Sequence, residues 1–192
     1  MIKINDLSFA YGEKQIFGGF SLEIPDGARS CIFGGSGCGK TTLLRLITGL
    51  EEPADGSIET GGVRTGTVSG VPARVSFMFQ EDRLLPFKTV LENITLIGAE
   101  KETALYMLAQ LGIAEAADKY PSELSGGMRR RAAIARALSA EYGCLILDEP
   151  FAGLDKENIE KAAALISESV GERTLIAVTH SEREAELLGA KI

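Results

Sequence analysis

Apolar and polar residues alternate from the first positions, and Ile2–Phe9 reads as a strand. Phe20–Ile24 and Arg29–Phe33 read as two more, parted by the turn signal Pro25-Asp26-Gly27. A glycine-rich stretch follows, and Lys40–Ile47 then takes a helical pattern that stops at Gly49. Glu52–Gly56 and Gly61–Gly70 are loop-rich and expected to flank short antiparallel strands, with a further strand over Arg74–Phe79. From Lys88 to Lys119 the pattern turns helical, with Leu105, Leu108 and Leu111 at spacings of three, and Pro121 punctuates it. Gly126–Ala140 predicts a helix rich in Ala and Arg. Cys144–Leu147 is a continuous apolar run, the pattern of a strand buried on both faces. Lys156–Ser167 predicts a helix, Thr174–Val178 a second buried strand, and Glu182–Leu188 a last helix. Strands alternating with helices predict an α/β core with a mainly parallel sheet. The block from about Lys88 to Leu124 predicts a small helical lobe inserted in it. Neither a repeat nor a linker divides the 192 residues, so one domain is expected.

Composition adds bounds rather than detail. At 45% hydrophobic and 24% charged, the chain is ordinary for a globular domain. A net charge of −7 disfavours a nucleic-acid groove. No apolar run approaches the roughly 18 residues of a membrane span, so a membrane role has to come through a partner. Three cysteines (Cys31, Cys38 and Cys144) have no metal-like spacing and suggest a reducing compartment.

The chemistry is concentrated in three places. Gly34-Gly35-Ser36-Gly37-Cys38-Gly39-Lys40-Thr41 fits the phosphate-loop pattern G-x-x-x-x-G-K-[ST], between a predicted strand and a predicted helix. Its glycines let successive N–H groups turn inward toward phosphate oxygens, and the helix that follows, from Lys40 through Thr42, adds its positive end. Lys40 would neutralise β- and γ-phosphates, and the Thr41 hydroxyl would meet Mg²⁺. The competing reading is a plain glycine turn. Second, the apolar run Cys144–Leu147 delivers Asp148 and Glu149. Asp148 suits the metal, and Glu149, pointing elsewhere, suits polarisation of an attacking water. The competing reading is an Asp-Glu-Pro turn. Third, His180, the only histidine, closes the run Leu175–Val178 after one Thr. Alone it is as well explained as a surface residue, but a parallel sheet would set it near Asp148.

With Leu124-Ser125-Gly126-Gly127-Met128 included, the sequence resembles the ATP-binding subunits of ABC transporters, whose signature is usually Leu-Ser-Gly-Gly-Gln. The motifs occur in order along nearly the whole chain. The resemblance implies a P-loop NTPase core, an N-terminal antiparallel β portion and a helical subdomain at about 88–124. It implies Mg-ATP hydrolysis driving solute transport, in a cytoplasmic subunit peripheral to the membrane. The partners it implies are membrane-spanning permease subunits and a second ATPase subunit, with no nucleic acid. On the same ground Tyr11 is expected to stack on adenine and Gln80 to sense Mg²⁺ and the attacking water. Glu149 is the expected base and His180 a γ-phosphate contact. Ser125, Gly126 and Gly127 are expected to face the phosphate bound by the other subunit, although Ser125 also reads as a simple helix cap. Ala152-Gly153-Leu154-Asp155 resembles the loop at the dimer interface.

Phe79–Val90 resembles importer subunits serving nitrate, sulfonate or taurine-like anions, and Glu149–Asp155 is similar to importers more generally. Arg83–Phe87 would then dock the permease, or else Leu84, Leu85 and Phe87 pack the lobe onto the core. Three departures stand out. Met128 replaces Gln, and the insert between Gln80 and Ser125 is short for the family. The sequence also stops at Ala190-Lys191-Ile192, where the family continues. From the last, an open sheet edge and no appended C-terminal regulatory domain are expected. A soluble ATPase of the same type acting on DNA or ribosomes is the alternative, but the long coiled-coil or tandem-cassette insertions typical of such proteins are absent here. A P-loop kinase or GTPase is a third reading, against which Ser125-Gly126-Gly127 speaks. Arg129-Arg130-Arg131 reads as a solvated helix face or as partners for acidic neighbours.

Overall fold

The computed structural model describes residues 1–35, 37–64 and 75–191. Ser36 of the phosphate loop, part of the expected Gly61–Gly70 loop and the first residue of the expected Arg74–Phe79 strand lie outside the described residues.

Two sheets form the framework. Strands β1 (Ile2–Tyr11), β2 (Lys14–Ile24), β4 (Asp55–Thr60) and β5 (Val63–Arg64) make an antiparallel sheet in the order β2-β1-β4-β5. Strands β3 (Arg29–Ile32), β8 (Thr174–Val178), β7 (Cys144–Asp148) and β6 (Val75–Met78) make a parallel sheet in the order β3-β8-β7-β6. Helix α1 (Lys40–Ile47) follows β3. Helices α2 (Val90–Thr95), α3 (Lys101–Gln110) and α4 (Gly126–Ser139) lie between β6 and β7 in the chain. Helix α5 (Lys156–Val170) separates β7 from β8, and α6 (Glu182–Leu187) follows β8.

The parallel sheet is buried on both faces, and its residues sort by parity. Cys144, Ile146, Ile176 and Val178 join a core with Leu44, Ile47 and the inward residues of the antiparallel sheet. Leu145, Leu147, Leu175 and Ala177 face a second core with Leu108, Ile134 and Ile166 from the helices. This period of two explains why the run Cys144–Leu147 carries no polar residue: each side chain meets a hydrophobic layer.

Several elements differ from the sequence expectation. Strand β2 begins at Lys14 rather than Phe20, because Gly18 and Gly19 hide its alternation. Tyr11 pairs with Lys14 across a two-residue hairpin turn. The stretch from Lys88 is not one helix. It breaks at Gly98 (φ +91°) into α2 and α3, and two short 3₁₀ turns over Ala114–Ala116 and Pro121–Glu123 lead to α4. The buried face of α3 is Ala104 and Leu108, continued by Leu111, while Leu105 is 37% exposed. Steps of three drift off a helix that turns every 3.6 residues, and that displaces Leu105. The outer edge of β3, expected to be open, is met at Ser30 by a parallel bridge to Lys191.

Gly56 shows how tightly the antiparallel sheet is drawn. Strand β1 bulges near Asp6, and a Cβ on Gly56 (φ +84°) would lie 2.4 Å from the Asn5 carbonyl oxygen and 2.5 Å from that of Asp6. Gly62 (φ +80°) shares the left-handed backbone but has open space around it. Gly62→Ala therefore carries only the backbone cost, roughly 1–2 kcal/mol, whereas Gly56→Ala must also move backbone. In calorimetry, Gly62→Ala is expected to lower Tm by roughly 2–6 °C and Gly56→Ala by at least twice as much. Equal shifts would contradict the close approach at Asp6.

Candidate functional site

Because β3, β6, β7 and β8 run parallel, the segments leaving them all open on one edge of the sheet. The loop Gly34–Gly39 leaves β3, Gln80 follows β6, Asp148 ends β7 with Glu149 next, and Thr179-His180 follow β8. A cavity of about 290 Å³ at this edge is lined by Tyr11, Lys14, Ile16, Gly37, Gly39, Lys40, Thr41, Thr42, Gln80, Glu149 and His180.

The loop is shaped by close approach. Gly39 (φ +100°) caps α1, and a Cβ there would stand 2.7 Å from Cγ2 of Ile16, so only glycine lets the loop lie against β2. Lys40 folds back, and its Nζ donates to the carbonyl oxygens of Gly34 (2.7 Å) and Gly35 (2.9 Å). Cys38 is exposed, and its N–H donates to Gly35 O at 3.4 Å. No acidic residue lies in the first turn of α1 or of α4, whereas α2, α3 and α5 each carry one and α6 carries two. The two exceptions leave their positive ends uncompensated from within.

The adjacent carboxylates diverge. Asp148 is 1% exposed and accepts from the Thr41 hydroxyl at 2.8 Å. Glu149 adopts φ +50°, a left-handed conformation uncommon outside glycine, held by Glu149 N–H donating to Val178 O and Ala152 N–H donating to Glu149 O. That turn carries its side chain away from Asp148, to a 2.8 Å contact between Oε1 and Nε2 of His180. Tyr11 packs edge-on against Phe9, and its hydroxyl donates to Glu51 at 3.1 Å.

Ser125, Gly126 and Gly127 stand apart from this cavity. The Ser125 hydroxyl accepts from the Met128 N–H, capping α4. Gly126 and Gly127 line a separate cavity of about 370 Å³ with Gln80, Asp82, Arg130 and Gly153 among its other walls. Met128 packs against the helical core, so the departure from Gln leaves the cap in place.

Two features escaped the sequence. Lys14 and Ile16 line the cavity because β2 starts early. More consequentially, Arg130 is not on a solvated face: it is 3% exposed and pairs with Asp82, as the second reading of the arginine run allowed, and it also donates to five backbone oxygens, which the sequence did not show. Helical spacing carried the signal, since Arg130 shares a face with the buried Ala133, Ile134 and Ala137. Arg131 likewise donates to Leu111 O, Gly127 O and Asn158 Oδ1.

Residues 17–152 match the family model described as ABC transporter. The chain belongs to that family. It is 40% identical over its whole length to an aliphatic sulfonates import ATP-binding protein, SsuB 1, of Paraburkholderia xenovorans, of which it spans 56%. It is 44% identical, over 93% of its length, to SsuB 2 of Agrobacterium fabrum, of which it spans 69%. Set against the Paraburkholderia relative, then, the chain covers little more than half. Among solved structures, a dimeric post-hydrolysis state of the ATP-binding cassette MJ0796 bound to ADP and Pi is similar at TM-score 0.88 and 29% identity, over 97% of this chain and 91% of that one. A bacterial Atm1-family ABC exporter with ATP bound is similar at TM-score 0.86 and 26% identity, over 96% of this chain and 35% of that one.

The buried Asp148 carboxylate makes a measurable prediction. Burial raises its pKa and the charge of Glu149 adds to this, against the Thr41 hydrogen bond and the charges of Arg130 and Lys40. A raised carboxyl pKa means that the folded chain holds this proton more tightly than the unfolded one. Stability is therefore lost as pH rises from the ordinary carboxylate range through the raised value. Asp148→Asn keeps an acceptor for Thr41 and removes the buried charge. In nucleotide-free calorimetry its Tm at neutral pH is expected to exceed wild type by roughly 2–4 °C, the gap shrinking as pH is lowered. A variant melting below wild type at neutral pH would contradict this.

Proposed function

We propose that this chain binds Mg-ATP at the Gly34–Thr42 segment and hydrolyses it, as the ATP-driven subunit of a membrane importer. One observation carries the reading: Lys40, Thr41, Gln80, Glu149 and His180 share a single cavity, and Thr41 is bonded to the buried Asp148. The described residues are read as one ATPase domain whose inserted helical lobe spans about 88–124.

The donor set fits Mg²⁺. Among the described residues no cluster of three or more His, Cys, Asp or Glu groups could hold a metal by itself. Mg²⁺ suits such a place, since it takes few protein ligands and completes its shell with phosphate oxygens and water. Thr41 and Gln80 would hold it, with Asp148 ordering that hydroxyl or a bound water. When bound, the metal neutralises phosphate charge and polarises the phosphorus centre. Lys40 exchanges its two carbonyl partners for phosphate oxygens, and the amides of Gly35 through Thr42, with the end of α1, donate to them. Tyr11 offers a ring face to the base. Glu149 accepts the proton of the attacking water. In the tautomer with its proton on Nε2, His180 donates to that carboxylate and aims it, and its ring would meet the terminal phosphate.

The Ser125–Gly127 turn does not line this cavity, yet it begins a helix whose first turn carries no acidic residue. It is read as the anion site for nucleotide held by a second subunit, and the dimeric MJ0796 cassettes support this. The import subunits among the relatives support a permease partner. No described helix is long and apolar enough to cross a membrane. The segment after Gln80 offers a docking surface: Leu85 is 40% and Phe87 71% exposed, while Leu84 packs inward. Buried Asn93 pins that loop by donating to the carbonyl oxygens of Leu85, Lys88 and Thr89, and so holds the two side chains outward.

Lys40→Ala is expected to weaken ATP binding roughly a hundredfold. Glu149→Gln should bind ATP normally and lose turnover by roughly 10²–10⁴-fold. Calorimetric titration and phosphate release measure both, and wild-type turnover by Glu149→Gln would remove it as the base. Leu85→Asp and Phe87→Asp are expected to melt within about 2 °C of wild type, since exposed sites tolerate charge. They should retain ATPase activity but fail to co-purify with the permease. A stable variant that still assembles would remove this loop from the docking surface.

A further inference from the structure

We infer that Arg130 is a positioning residue for hydrolysis: one buried guanidinium fixes Gln80 and Glu149 relative to each other and ties both to the Ser125–Gly127 turn. The inference rests on the ATPase reading above. Strands β6 and β7 are neighbours in the sheet, and their shared ladder ends at Met78 opposite Leu147. Past that point their carbonyls need other partners. Arg130 supplies them. Its Nη1 donates to Phe79 O (3.1 Å), Gln80 O (2.8 Å) and Asp82 Oδ1 (3.2 Å). Its Nη2 donates to Asp148 O (2.8 Å) and Glu149 O (2.5 Å), and its Nε to Pro150 O (3.1 Å).

A planar fork of donors suits this task. It bonds both strand exits at once, at fixed angles, where an ammonium would act as a single point. Burial makes the arrangement stiff, because breaking it would strand a charge away from water. Five of the six acceptors are backbone, so the contact sets where the chain runs rather than neutralising a catalytic carboxylate. Gln80 and Glu149 both reach the nucleotide cavity, while Arg130 does not line it. Arg130 also lies five residues beyond Ser125 in α4, about 7.5 Å along the helix axis. Displacement of that helix start is thereby passed to Gln80 and Glu149 together.

The test uses Arg130→Lys, which keeps the charge and loses the fork. Arg130→Gln, which buries no charge and keeps an amide donor, carries the test if the lysine variant melts below the assay temperature. ATP affinity and KM are expected to stay within threefold of wild type while kcat falls by roughly 10–100-fold. Hydrogen exchange should rise at least tenfold at residues 79–82 and at 149–152 together, with α1 unchanged. A residue that only packs α4 would loosen α4 alone. Wild-type kcat in the lysine variant, or faster exchange confined to α4 or to one of the two turns, would overturn the assignment. If the wild-type chain itself shows no Mg-ATP turnover, the ATPase reading fails instead, and the joint exchange of the two turns still decides whether Arg130 couples them.

Discussion

Strand β7 is buried at every position, from Cys144 to Asp148, between a helical core on one face and the α1 and antiparallel-sheet core on the other. The remainder of the molecule follows from that constraint. A strand enclosed on both faces can present chemistry only where it ends. Its parallel neighbours, aligned by register from Cys144–Thr174 to Asp148–Val178 and from Val75–Cys144 to Met78–Leu147, end at the same edge. The chain therefore places a phosphate loop, a glutamine, two carboxylates and a histidine together although they are scattered from Gly34 to His180.

At that edge, polar groups are held by other polar groups. Asp148 is oriented by Thr41, Glu149 by its left-handed turn and by His180, and the exits of β6 and β7 by Arg130. Buried charge is costly unless its bonds are complete. The arrangement is consequently narrow: side chains that reach the cavity are backed by bonded backbone just behind it. Such backing keeps donors and acceptors aimed before a substrate arrives, the condition under which electrostatic stabilisation of a transition state is largest.

Gly126 and Gly127 line a different cavity, and Gln80 borders both spaces. The starts of α1 and α4 thus line two different cavities. Arg130 and Arg131, side by side on α4, bond respectively to the carboxyl edge and to Asn158, which in turn donates to Asp155 at the start of α5. The helix that begins at the signature turn is therefore connected by hydrogen bonds to the strand exits and to the loop before α5.

The sequence by itself determined the elements and the chemistry that local rules control. The helix Lys40–Ile47 and the strand Thr174–Val178 are observed as expected, because propensity, periodicity and punctuation agree there. The phosphate-loop spacing, the carboxylates after an apolar run and the Ser125–Gly127 turn could be read as motifs, since each lies within a few consecutive residues, and the roles given to them are proposed. Tertiary structure decided what depends on distant partners. Gly18 and Gly19 conceal a strand that only pairing with β1 reveals, and Leu105 is turned outward by the face α3 buries. Leu84 is separated from Leu85 and Phe87 by the bonds Asn93 makes to the loop backbone. The sequence left Arg130 either on a solvated face or paired with an acidic neighbour; it is buried because two strand exits, fifty and eighteen residues away in sequence, bring their carbonyls to it beside Asp82. A run of sequence records which donors and acceptors a chain carries, but a buried ion is stable only when the whole fold completes its bonds, and that completion is a property of three-dimensional packing.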